Sequence, residues 1–351
     1  MRMVRHTLIP VVHRRAGAGL RSLFAACALA LAALPAPACE VDHPVIFAGL
    51  DWDSNAFHTA VAQRIVRDGF GCRVDLVPGS TIPLYNGMAR GDVHVIMEVW
   101  RSNTPPSWTQ GVEAGKLVEL GVNFPDATQG WFVPRYLVEG PKARAPGLRS
   151  VHDLPRYKAL FRDPEEPAKG RFLNCIAGWQ CELTNTKKLH AYGLTPHFSN
   201  FRPGTGAALD AAILSALKRQ RPVLFYYWGP TWLLGQIGEQ VVMLEEPPYD
   251  PQRWEALMAL KDPAQATDAT AYPVVEVLVG ANKAFTEQAP AIKAFLSSYR
   301  TSAALVSQAL AYMQTNRASV DDAARHFLRT HPDLWTGWVP AEVAARVKAA
   351  L

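Results

Sequence analysis

From Val45 onward, short apolar runs alternate with stretches whose apolar positions recur every three or four residues. Val45-Ile-Phe-Ala reads as a strand. Phe57, Ala60, Val61, Ile65 and Val66 then mark one face of a helix, which Gly69 ends. Residues 72–77 form a second strand-like run closed by Pro78-Gly79, residues 83–90 a helix closed by Gly91, and residues 93–99 a buried strand. This βαβαβ order predicts a parallel sheet with right-handed crossovers, and such sheets bind ligands outside the carboxyl ends of their strands. Trp52 follows the first strand and Trp100 the third, so both are expected at one crevice.

Two later runs, residues 130–138 and 272–279, read as strands that cross between lobes. Between them lie a Pro- and Gly-rich stretch at 140–147, a short helix after Val151, and a helix from Thr184 to Tyr192 ended by Gly193. A turn at Arg202-Pro-Gly-Thr-Gly206 precedes a helix over 207–219, which leads into a strand over 223–227 and so to Trp228. From Pro290 the pattern is helical up to Trp335-Thr-Gly-Trp338. A chain of about 310 residues behind its leader exceeds the usual size of one hydrophobic core, so two lobes are expected. The division drawn from the pattern is 1–38 leader, 39–137 and 273–351 for the first lobe, and 138–272 for the second.

The leader changes how the charge is read. Arg2, Arg5, Arg14, Arg15 and Arg21 precede an apolar run at 23–34, which ends in Pro35-Ala-Pro-Ala38. That is the layout of a secretory signal peptide, and the run is too short to span a membrane. The formal charge of +5 comes from 36 Lys and Arg against 31 Asp and Glu; without the leader's five arginines the two balance at 31. No basic excess remains to point to nucleic acid or an anionic membrane surface. Cleavage after Ala38 would leave Cys39 first and open the alternative of a lipid anchor there, although Ala36-Pro-Ala38 makes a poor lipidation box.

Export implies an oxidising compartment in which cysteines can pair. Cys27 leaves with the leader, Cys175 and Cys181 are the natural pair, and Cys72 is expected to be buried and free, with Cys39 as its alternative partner. The ten histidines are scattered, with no metal-ligand spacing, so no metal and no cofactor is expected. No Gly-x-Ser-x-Gly motif and no paired acids at a suggestive spacing support an enzyme.

What remains is aromatic. The loop Asn174-Cys-Ile-Ala-Gly-Trp-Gln-Cys-Glu182 holds up Trp179 behind Gly178, and Tyr226-Tyr-Trp-Gly-Pro-Thr-Trp232 presents Trp228. A hinged cleft would bring Trp100 of the first lobe to Trp179 and Trp228 of the second. Indole faces attract cations, and a quaternary ammonium group, which offers no hydrogen bonds, suits them best. Each tryptophan has packing as its alternative role, and Asp53 could simply cap a helix with Ser54.

These same segments, with Gly91-Asp92 leading to Trp100 and Trp335-Thr-Gly-Trp-Val339, resemble the glycine betaine/choline/carnitine-type substrate-binding proteins of ABC importers, the ProX/OpuAC-like class. The resemblance covers essentially the whole chain after the leader. It implies an α/β, two-lobed periplasmic binding protein of type II with a hinged cleft, a cage of Trp100, Trp179 and Trp228, and a permease and ATPase as partners in the membrane. It adds Trp52 and Asp53, which are similar to the choline binders. Tyr136, with packing at the hinge as its alternative role, is a further candidate ligand contact, and the backbone amides of Trp179 and Gln180 are a candidate carboxylate seat. One departure stands out: the betaine binders have a His after the first-lobe Trp, where this chain reads Trp100-Arg-Ser-Asn103. Either Arg101, Ser102 or Asn103 replaces it, or the ligand has no carboxylate. A carboxylate such as Asp53 or Glu98 near the cationic head would favour choline over glycine betaine; carnitine, dimethylsulfoniopropionate and a sensor of another small cation are further alternatives.

Overall fold

The computed structural model of the chain describes residues 39–351; the leader, with Cys27, lies outside the described residues. Nine strands are present among them: β1 Val45–Leu50, β2 Val74–Gly79, β3 Val95–Trp100, β4 Leu117–Pro134, β5 Gly170–Leu173, β6 Phe198–Phe201, β7 Leu224–Gly229, β8 Val241–Met243 and β9 Val275–Asn282. The βαβαβ unit is there as expected: β1 lies between β2 and β3 and runs parallel to both, with Val45 opposite Val74 and Phe47 opposite Val95. Alternation along β1 sends Val45 and Phe47 into the main core and Ala48 and Leu50 into a smaller one on the opposite face.

The strand order is β2-β1-β3-β9-β4-β7-β5-β6, with β8 on the far end of β4. Two lobes therefore share one mixed sheet. The strand that joins them is β4. Its first part pairs antiparallel with β9 as far as Ala127 opposite Val275, and from Thr128 opposite Gly229 it pairs with β7. This exchange of partners lies ahead of residue 137, where the pattern had suggested a boundary. Residues 117–129 were hidden as a strand because Gly121, Pro125 and repeated slips in register break the alternation. At Gly121 a β-carbon would meet the Ser297 carbonyl oxygen at 2.5 Å, so the close approach of chain to chain requires glycine there.

β3 slips in register against β9 between Ile96 and Val99. Strict alternation would send Glu98 to the face that Ile96 occupies. The slip instead leaves Met97 and Trp100 both in the main core and turns the Glu98 carboxylate toward the helix Asp53–Arg64.

The first two short strands of the second lobe, β5 and β6, escape the sequence pattern, and so does the last helix, Ala341–Ala350, which lies beyond Trp338. Cys72 requires a correction. It is buried but not free: it is bonded to Cys39 across a Cα–Cα distance of 4.8 Å. The parallel pairing of β1 with β2 brings the segment before Val45 beside the one before Val74, and the two sulfurs meet. A Cys39 sulfur in this bond is not free to carry a lipid. Cys175 and Cys181 are also bonded to each other.

The Cys39–Cys72 bond closes a loop of 33 residues. Replacing both cysteines by serine should lower the unfolding free energy by about 2–4 kcal/mol in urea titrations. An unchanged midpoint would mean that the bond does not constrain the unfolded chain.

Candidate functional site

Four tryptophans from separate segments converge where β1, β3 and β7 end. Trp52 is the residue just before the helix Asp53–Arg64, in extended backbone, and its Nε1 donates to Glu98 Oε2 at 2.8 Å. Trp100 closes β3, and its Nε1 donates to the same oxygen at 3.0 Å. Trp179 holds the equivalent position before the helix Gln180–Ala191 and donates from Nε1 to Asp51 Oδ1 at 2.6 Å. Asp51 belongs to the first lobe and Trp179 to the second, so this bond spans the cleft. Trp228, near the end of β7, stacks on Tyr227 at 4.6 Å between centroids. Trp179 meets Trp228 edge-on at 5.2 Å and Trp52 edge-on at 5.3 Å.

Together these rings line a pocket that is partly open to solvent. Besides the indoles, its polar side chains are few: Thr81, Tyr85, Asn103, Gln129, Gln180 and Tyr226. Gln129 Oε1 accepts from Asn103 Nδ2 at 2.5 Å and from Tyr226 Oη at 2.6 Å, which fixes its orientation. Asn103 Oδ1 and Gln180 Oε1 are buried and have no hydrogen-bond partner. Unpaired buried polar atoms of this kind are costly unless a bound group completes them.

The disulfide loop delivers a helix start to this cavity. Gly178 has φ +94°, and a β-carbon there would meet Ser80 Oγ at 2.6 Å, so the loop presses directly against the first lobe. Of the two amides expected to seat a carboxylate, that of Trp179 is occupied, donating to the Ile176 carbonyl at 3.1 Å. Gln180 and Cys181 both line the cavity and open the helix, where first-turn amides have no acceptor within the helix and the dipole favours negative charge.

Among the three candidates to stand in for the missing His, Arg101 turns outward to Glu276 at 2.9 Å and Glu119 at 2.8 Å. Ser102 is a half-buried neighbour of Gln129, and only Asn103 lines the cavity. Tyr136 does not reach the site. After Pro134 the chain leaves β4 and turns into the short helix Arg135–Val138, and the Tyr136 hydroxyl donates to the Arg221 carbonyl on the second lobe. Asp53 points to a neighbouring cavity shared with Asp51 and Asp210, where the Trp232 side chain hydrogen-bonds it and burial pushes its carboxyl up. Glu98 is fully buried beneath the rings and lines neither cavity. Gln129, Tyr85 and Asp51 were not legible as site residues. Gln129 sits in the unrecognised part of β4, and the role of Asp51 depends on a residue 128 positions away.

Asp51→Ala should leave the Trp179 N–H without its acceptor and weaken ligand affinity by about 1–3 kcal/mol, read by tryptophan-fluorescence titration. Asp51→Asn, which keeps an acceptor, should recover part of the loss; equal behaviour of the two variants would show that the bond is not what matters. Burial pushes Asp210 up to about 6, against the opposing hydrogen bond from the Tyr227 hydroxyl, with Asp53 adding repulsion. The native protein thus retains a proton there that the unfolded chain, at 3.8, releases first. Stability should fall as pH rises through the window between those values. Asp210→Asn should flatten that part of the profile in denaturation curves taken across it.

No helix among the described residues is long and apolar enough to cross a membrane. Residues 43–330 match the family described as the substrate binding domain of ABC-type glycine betaine transport systems. The glycine betaine/proline betaine-binding periplasmic protein of Escherichia coli K12 is 28% identical over 272 residues, covering 75% of this chain and 78% of that one. Two solved structures share the fold. The glycine betaine/L-proline-binding protein ProX of Borrelia burgdorferi has a TM-score of 0.68 at 17% identity, over 87% of this chain and all of that one. An ABC-transporter choline-binding protein in complex with choline also gives 0.68, at 15% identity over 88% of this chain and 97% of that one. The family match spans most of the described residues, and the chain belongs to the substrate-binding domains of ABC-type glycine betaine transport systems.

Proposed function

We propose that this chain is the periplasmic substrate-binding component of an ABC importer and captures a small quaternary ammonium compound, glycine betaine foremost, between Trp52, Trp100, Trp179 and Trp228. One observation carries the reading. Three of the four indole N–H groups are turned onto carboxylates, Glu98 and Asp51, which leaves ring carbon rather than N–H to line the cavity. A methylated cation needs that surface and cannot use a hydrogen-bond acceptor. At about 0.5–2 kcal/mol for each desolvated face, four faces approach the roughly 8 kcal/mol of micromolar binding.

The other end of glycine betaine is a carboxylate, and the start of the helix Gln180–Ala191 is suited to receive it. The Gln180 and Cys181 amides would donate, with the disulfide fixing their position. Docking of the ligated, closed protein to a membrane permease and its ATPase is the corresponding partner reading. A second ligand, choline, is favoured by a different observation: the cavity is lined by no Lys, Arg or His, and the unpaired Asn103 Oδ1 is an acceptor suited to a hydroxyl.

Calorimetric titration of the mature protein with glycine betaine, choline and carnitine, with glycine as control, tests the proposal. One methylated ligand should bind in the micromolar range or tighter and glycine should not bind. Trp228→Ala should weaken that ligand by about 1–3 kcal/mol. Silence toward all three methylated compounds would remove the quaternary ammonium reading while leaving the fold intact.

A further inference from the structure

Glu98 is the least expected charge in the molecule. It is completely buried in the middle of β3, does not line the cavity, and yet accepts the N–H of two of its walls on one oxygen. Its other oxygen, Oε1, is buried and faces His58 Nε2 at 3.9 Å, beyond hydrogen-bond range. Among the described residues no Lys or Arg pairs with it. Two indoles could be oriented by any acceptor, a backbone carbonyl or a glutamine, at far smaller desolvation cost than a carboxylate.

An indole whose N–H is bonded to an anion has its electron density pushed toward the ring, and the ring face is the part that meets a cation. In a water-excluded site the field of the carboxylate also acts through little screening. We infer that Glu98, through its bonds to Trp52 and Trp100, makes the cage selective for the positive charge of its ligand rather than only for its methylated shape. The inference rests on the reading of the cage as a quaternary ammonium site and deepens it: Glu98 is a positioning and polarising residue that the ligand does not touch.

The surroundings of the carboxylate are consistent with this role. His58, from the helix Asp53–Arg64, is held neutral by burial, which depresses it to about 3, and its Nδ1 is 2.8 Å from the Tyr299 hydroxyl. Tyr85, from the helix Thr81–Arg90, donates to the Glu98 backbone carbonyl at 3.4 Å, and burial pushes its phenol up, as it does that of Tyr299. Burial also pushes Glu98 itself up, while the Trp52 and Trp100 N–H groups favour its ionised form. Among the described residues no Lys or Arg faces it to cancel its field, so in the ionised form its charge is felt by the rings.

The test compares each ligand with its carbon isostere, in which a tert-butyl group replaces trimethylammonium: choline with 3,3-dimethylbutan-1-ol and glycine betaine with 3,3-dimethylbutanoate. Shape is conserved and the positive charge is lost. Affinities are measured for the wild-type protein and for Glu98→Gln, which keeps an oxygen acceptor for the indoles. The wild type should prefer the cation, and Glu98→Gln should reduce that preference by about five- to tenfold while the isostere binds as before. Retained isostere binding shows at once that the variant is folded. As pH falls and Glu98 takes up a proton, the wild-type preference for choline should converge on that of the variant, whose own preference should not move. Equal losses for both members of a pair, or no change in either, would overturn the inference in favour of simple ring placement. Equal wild-type affinity for cation and isostere would overturn it alone, with the methyl-shaped pocket surviving. Binding of neither member of either pair would overturn the functional reading, and this inference with it.

Discussion

An indole can offer its face to a cation only if its N–H is satisfied somewhere else, because a buried donor without an acceptor costs more than the cation contact returns. That constraint organises the site. Trp52 and Trp100 meet it with one oxygen of Glu98, and Trp179 meets it with Asp51. The rest of the local structure follows from the placement of those two acids. β3 must slip in register for Glu98 to lie beneath the rings, and the loop between β1 and the following helix must carry an acid beside a tryptophan.

The two acids act differently. Glu98 binds two rings of the same lobe to each other, through bonds that do not span the cleft. Asp51 meets its ring only when the lobes are together, alongside the contact of Gly178 with Ser80 and the hydrogen bond from the Ile82 amide to the Gly178 carbonyl at 3.4 Å. One acid therefore belongs to the architecture of the pocket and the other to its closure. The disulfide loop serves the closure, since it fixes both Trp179 and the helix start behind it.

Much of this was legible in the chain. Apolar runs ended by tryptophan put Trp52, Trp100 and Trp228 at strand ends because side-chain alternation and parallel crossovers are local rules. The small loop between Cys175 and Cys181 announced its own bond. Other features depended on distant partners and left no local trace. Cys72 looked free because its partner stands beyond an intervening strand, helix and turn. The first part of β4 looked like a loop because its pairing with β9 tolerates slips that destroy period-two alternation. Asn103 was one of three equivalent candidates until Gln129, hidden in that same strand, was seen to hold it. Tyr136 looked like a ligand contact because the strand before it was read as ending too late.

β4 is a single run of 18 residues that belongs to both lobes. A linker of loop residues would let two bodies swing, slide and twist; a continuous strand with partners on either side resists sliding, because every step would break ladder bonds. Its freedom is that of a leaf spring. The ladder is irregular between Glu119 and Ala127, immediately before the partner changes from β9 to β7, so bending there would break the fewest ladder bonds. A jaw mounted this way would return to the same register on each closure, so that rings carried by opposite lobes would meet at one geometry.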